Sequence, residues 1–160
     1  MGIALAVLAA TGTIRAKSNP EISAAAQAIG GLSGEEKGKA AALITAALKE
    51  GVDVLALVRA ASAANPPLAP TVAATAAGRF PRLSARISGA AAKAAPTQAR
   101  TIAEGVTESD PDNRELIFAA IRDALRDIRN SVGEGDLRDE IRDELRDLRD
   151  DIRDILSPEN

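Results

Sequence analysis

From residue 20 onward, short apolar runs alternate with helix-breaking punctuation. Asn19-Pro20 pairs an N-cap residue with proline at the first helical position, and ISAAAQAI runs on to Gly30-Gly31, which predicts a helix between the two signals. Ser33 and Glu36 form an S-x-x-E capping box ahead of AALITAALKE, so a second helix is expected to reach Gly51, with Leu43, Ala47 and Leu48 on one face. Asp53 suits the N-cap of VLALVRAASAA, a third helix that ends at Asn65-Pro66.

Beyond that point the chain repeats. Prolines 66, 81, 96 and 111 are spaced by 15, and the units read PPLAPTVAATAAGRF, PRLSARISGAAAKAA and PTQARTIAEGVTESD. Counted from the proline, position seven is Val72, Ile87 and Ile102, and position eleven is Ala76, Ala91 and Val106; the preceding stretch keeps the register with Leu57 and Ala61. Positions seven and eleven lie one helical turn apart, so each unit presents one larger and one mostly small apolar residue on a single face. Each unit is therefore one short helix. A rod of about 12 residues is roughly 18 Å long and too short to be stable alone in water, so the units must stack. Proline ends the preceding helix, and small contact residues let backbones approach.

At Pro111 the composition changes to Leu, Ile, Arg and Asp. Phe118, Ile121, Leu125, Ile128 and Val132 are spaced alternately by three and four, Gly133-Glu134-Gly135 stops that helix, and Asp136 caps another in which Ile141, Leu145, Leu148, Ile152 and Ile155 repeat the spacing. The short loop predicts a helical hairpin. An antiparallel pairing sets Arg122 and Arg129 against Arg142 and Arg149, whereas parallel self-pairing of the last helix places Glu144 opposite Arg149 of a second copy. Such exposed pairs contribute only about 0.2–1 kcal/mol each, so they tilt assembly without deciding the fold. The seam from Ile141 to Ile155 is thus the candidate interaction site, for a second copy or another helical protein. Asp139/Arg142, Asp143/Arg146 and Asp150/Arg153 are expected to pair within the helix. The acidic row Glu140, Glu144, Asp147 and Asp151 reads as a solvated face, because no loop folds these carboxylates into a cage.

The fold class is all-α: a bundle or short solenoid of proline-punctuated helices followed by a longer helical hairpin. The expected divisions are 1–16, an apolar leader; 17–110, the alanine-rich array; and 111–160, the charged hairpin. The leader run Ile3 to Ile14 has the length of a signal-peptide apolar region and is too short to span a bilayer, so export is expected, with a cytoplasmic location as the alternative.

Composition narrows the chemistry. Of 160 residues 35 are alanine and only 37 are Leu, Ile, Val or Phe, so the core is thin and closely spaced. Cysteine, histidine, tryptophan and tyrosine are absent, which removes disulfides, imidazole bases, Cys/His zinc sites and most aromatic stacking. No phosphate loop, nucleophile elbow or S-x-x-K motif occurs, and Glu35 and Glu36 would repel an anion at the start of the second helix. No catalytic residue, cofactor, metal or small-molecule substrate is inferred. Residues 1–110 carry 11 Lys+Arg and 8 Asp+Glu, and residues 111–160 carry 9 arginines and 15 acids, so no dense basic patch points to nucleic acid. Thr71, Thr75, Thr97 and Thr101 do not keep the 11-residue spacing of one aligned face. Arg79, Arg82, Arg86, Lys93 and Arg100 supply the basic side of a membrane-surface helix, but the apolar faces beside them are mostly alanine.

The order of an IALAVLAATGT leader, an LSGEEKGKAAALITAALKEGVD segment and proline-phased alanine-rich units resembles exported bacterial alanine-rich helical repeat proteins of uncharacterised function, over residues 3–108. That resemblance implies export and a helical repeat fold and assigns no site residue. The expected function is a non-enzymatic structural or protein-interaction module, self-associating through the heptad seam. The alternatives are a peripheral envelope or membrane-surface protein, or an artificial helical protein, the latter suggested by the restricted alphabet of the last third.

Overall fold

The structure, a computed structural model, describes residues 20–132 and 135–156; the candidate leader, residues 1–16, lies outside them. The described residues form an all-α fold of eight helices: α1 (Pro20–Gly30), α2 (Lys37–Lys49), α3 (Val54–Ala64), α4 (Ala69–Arg79), α5 (Ser84–Ala94), α6 (Ala99–Ser109), α7 (Arg114–Ser131) and α8 (Asp136–Leu156).

The proline phase acts through one backbone device used four times. Asn65, Phe80, Ala95 and Asp110, each standing before a proline, have φ between −150° and −131° and ψ between 66° and 84°. The proline ring forces its predecessor out of the α region, which ends the helix. The carbonyl of that same residue then accepts an N–H three residues on: Leu68 to Asn65 at 3.0 Å, Leu83 to Phe80 at 2.8 Å, Gln98 to Ala95 at 3.0 Å and Asn113 to Asp110 at 3.4 Å. Each proline therefore opens a single 3₁₀ turn that leads into the next α-helix. One residue closes one helix and starts the next, so reversal takes no extra loop.

Positions seven and eleven form the core as the repeat requires. Val72, Ile87, Ile102, Ala76, Ala91 and Val106 are completely buried, as are Leu57 and Ala61 before them and Ile117 and Ile121 after them. The change of composition at Pro111 is not a break in packing, because α7 begins with the same 3₁₀ turn and lies against α5 more extensively than any other helix pair touches. A single apolar cluster runs from Ala25 to Leu148.

Helices two units apart stack. α1, α3, α5 and α7 form one row and α2, α4 and α6 a second, and from α3 onward consecutive helices pack across the rows. The contacts within a row are made by small residues. A Cβ placed on Gly89 of α5 would lie 3.4 Å from the Ala120 carbonyl oxygen of α7, and one on Gly105 of α6 would lie 3.8 Å from the Ala74 Cβ and the Pro70 carbonyl oxygen of α4. Both pairs are 31 residues apart, 89 to 120 and 74 to 105, one more than two repeats. Lys93 of α5 also meets Asp127 of α7 at 2.8 Å, so along both helices residue number rises together and the stacked helices are parallel.

Polar groups at the unit boundaries tie one unit to another. The Asn65 amide donates to the carbonyls of Ile29, at 3.0 Å, and Leu32, at 2.8 Å, covering the open end of α1. The Ser84 hydroxyl, at the start of α5, donates to the Asp110 carboxylate, which also accepts from Asn113 at 2.9 Å.

Several boundaries differ in an informative way. Asp53 caps α3 as expected, accepting from the Ala56 N–H at 2.7 Å. The 33–36 capping box forms only in half: the Glu36 carboxylate accepts from the Ser33 N–H at 2.9 Å, the serine hydroxyl does not answer it, and α2 starts at Lys37. A Cβ on Gly34 would sit 3.1 Å from the Pro67 Cβ, so this turn is pressed against the first proline unit. On α2, Ile44 is completely buried and Leu43 only partly, so the buried face is rotated from the expected Leu43 line.

Candidate binding groove

The predicted interaction seam lies inside the chain. Ile141 and Leu148 are completely buried, and Leu145 and Ile152 are partly buried against the same core; the Ile155 side chain lies outside the described part of α8. In this structure the seam faces α7, the start of α6 and the turn before it. The heptad spacing marked a face that needs covering, and the array covers it. Charges follow the same logic. The three predicted local pairs form, Arg142 to Asp139 at 2.8 Å, Arg146 to Asp143 at 3.2 Å and Arg153 to Asp150 at 3.9 Å, and Arg122 and Arg149 pair with Asp123 and Asp150. Three of the four arginines that an antiparallel pairing would oppose, Arg122, Arg142 and Arg149, are thus paired on their own helix.

Two members of the acidic row of α8 address α6. Glu144 accepts from the Arg100 N–H at 3.2 Å, in the first turn of α6, and Asp151 pairs with the Arg100 guanidinium at 3.3 Å. Burial pushes the Glu144 carboxyl above its usual range, against the lowering effect of the Arg100 N–H. The basic residues at 79–100 are distributed over both rows. Arg86 and Lys93 belong to the first row and Arg79 and Arg100 to the second, while Lys93 and Arg100 are already paired with acids.

A surface groove lies along the second row. Parallel α2, α4 and α6 enclose an open groove of about 600 Å³. α2 contributes Lys37, Gly38 and Ala41; α4 contributes Pro70, Ala74 and the pair Thr71 and Thr75; α6 contributes Thr101, Gly105, Glu104 and Glu108. Its middle is lined by small residues because these are the same positions that let the helices approach. Its ends are charged: Lys37 on one side, and on the other Glu104 and Glu108, one turn apart. Glu104 pairs with Arg100 at 3.2 Å, whereas Lys37 and Glu108 make no ion pair among the described residues. A second cavity of about 300 Å³ opens between α6 and α7, lined by Glu104, Thr107, Glu108, Arg114 and Phe118. The two carboxylates therefore stand on the ridge between the cavities. The Thr107 hydroxyl is buried without a hydrogen-bond partner, and the Arg114 guanidinium lies 5.9 Å from the centre of the Phe118 ring.

Sequence inspection at the helical spacing of 11 does not find this groove. Thr71 and Thr101 occupy the same position in units two apart, 30 residues from one another, and stacking within a row brings both to the lining of one groove. The useful signal was the doubled repeat. Among the described residues, no helix is long and apolar enough to cross a membrane. Comparison of the chain with protein-family models, with curated proteins and with solved structures gives no match.

Proposed function

We propose that this protein is a non-enzymatic helical-repeat interaction module and that the groove along α2, α4 and α6 is where it docks a segment of another protein. The observation that carries the reading is the groove itself, a surface shared by three parallel helices and floored by alanine, glycine and proline. A surface of this kind admits a backbone at close range and offers threonine hydroxyls for hydrogen bonds. The Ile141–Ile155 seam carries no part of the proposal, since Ile141 and Leu148 belong to the chain's own core.

A random peptide library displayed on phage and panned against the full chain tests the reading. Peptides are expected to enrich and to lose binding when the exposed Thr101 is replaced by Trp, which fills the groove without touching the core. No enrichment, or peptides that bind the Thr101→Trp variant equally well, would refute it.

A further inference from the structure

The groove has a chemical polarity that the docking reading alone does not use. Glu104 and Glu108 line both the groove and the smaller cavity between α6 and α7. Glu108 is exposed and has no ion-pair partner among the described residues, while Glu104 is shared with Arg100. The small cavity is also lined by Phe118 and by Arg114, whose guanidinium lies 5.9 Å from the centre of that ring. A volume of about 300 Å³ lined by an aromatic ring and two exposed carboxylates suits a long side chain with an apolar stem and a cationic head. Arg114 and Arg100 set a limit, since each brings a positive charge close to the same carboxylates. Glu108, the one of the pair not already neutralised, must then carry the selectivity. At the opposite end Lys37 disfavours a second cation, so a bound segment has a defined direction across the three helices.

We infer that the docked segment is basic at one end, and that a lysine or arginine side chain of the partner enters the cavity between α6 and α7 and is held by Glu108 with Glu104. This rests on the reading of the groove as a docking surface. An extended cationic partner such as a polybasic tail is a poorer fit, because Lys37 closes the other end.

The experiment uses the peptides selected on the full chain, synthesised with a fluorophore and titrated by anisotropy. One basic residue at a fixed place in the selected sequences is expected. Its replacement by norleucine should weaken binding about ten-fold or more, and Glu108→Lys in the protein should do the same, while Asp147→Asn on the exposed face of α8 should leave affinity unchanged. Circular dichroism confirms that each variant is folded. If affinity falls as much for Asp147→Asn as for Glu108→Lys, the attraction is only that of an acidic chain and the inference fails. Selected peptides with no fixed basic residue, bound in a manner sensitive to Thr101→Trp, would overturn the inference and leave the groove reading standing. Insensitivity to Thr101→Trp, or an empty selection, overturns both.

Discussion

Ser62 shows what a single atom does in a core this thin. Its side chain is completely buried on α3 and its hydroxyl has no hydrogen-bond partner, while the corresponding places in the next two units hold Ala77 and Ala92. A buried unpaired hydroxyl costs about 1–3 kcal/mol, so Ser62→Ala is expected to stabilise the fold by roughly 1 kcal/mol, read as a higher urea midpoint. The Asp110 carboxyl is held below its ordinary value of 3.8, first by the Ser84 hydroxyl and then by Asn113. A depressed folded value means that its contribution is complete above pH 3.8 and is lost as pH falls through the folded value. Glu144 has the opposite sign. Its folded value is raised above 4.5 by burial, so its contribution is largest below pH 4.5 and declines as pH rises through the raised value. Urea titrations across this range should show Asp110→Asn less stable at neutral pH with a flatter acid limb. Glu144→Gln, which keeps an acceptor for the Arg100 N–H without the buried charge, should gain on the parent as pH rises.

Each helix is too short to persist alone, so an element's behaviour depends on which neighbour its small residues meet. Gly78 is exposed on α4 with no heavy atom near a Cβ, whereas Gly89 has the Ala120 backbone there. Gly78→Ala is expected to stabilise by about 0.5–1 kcal/mol through backbone entropy. Gly89→Leu should destabilise by about 1–3 kcal/mol by forcing α5 from α7, with both values read from denaturant midpoints. The existence, order and buried face of the repeated helices were legible because proline fixes φ, excludes the preceding residue from the α region and recurs every 15 residues. The groove was not legible from that period, since Thr71 and Thr101 meet only through stacking, which one helix's periodicity does not encode. Ile141 and Leu148 were legible as residues needing a partner, but heptad spacing is the same whether that partner is a second chain or a neighbouring helix of the same one. The half-formed 33–36 box failed for a similar reason, since Pro67 presses on Gly34 from 33 residues away.

At the scale of the molecule, the core that crosses Pro111 makes the charged helices part of the array. Ile141→Asn with Leu148→Asn is expected to release α8 while α1 to α6 keep their structure, giving fast hydrogen exchange confined to the C-terminal helix. The surfaces at which α6 could accept a further member of its row also bear on assembly. Where α4 offers Pro70 and Ala74 to Gly105 of α6, α6 has Arg100 and Glu104 at the corresponding positions, and the helix that reaches Arg100 is α8, through Glu144 and Asp151, so the close stacking of small residues ends at α6. Because neighbours in a row are two units apart, the array also has a parity. Removing one 15-residue unit, Pro81–Ala95, would send every later helix to the opposite row and present its groove-lining residues to the wrong side. Removing two, Pro66–Ala95, would return each later helix to its own row with its partners shifted but its facing preserved. A protein assembled in this way can lengthen or shorten by pairs of units without redesign, and can change by an odd unit only by exchanging the inside of its surface for the outside.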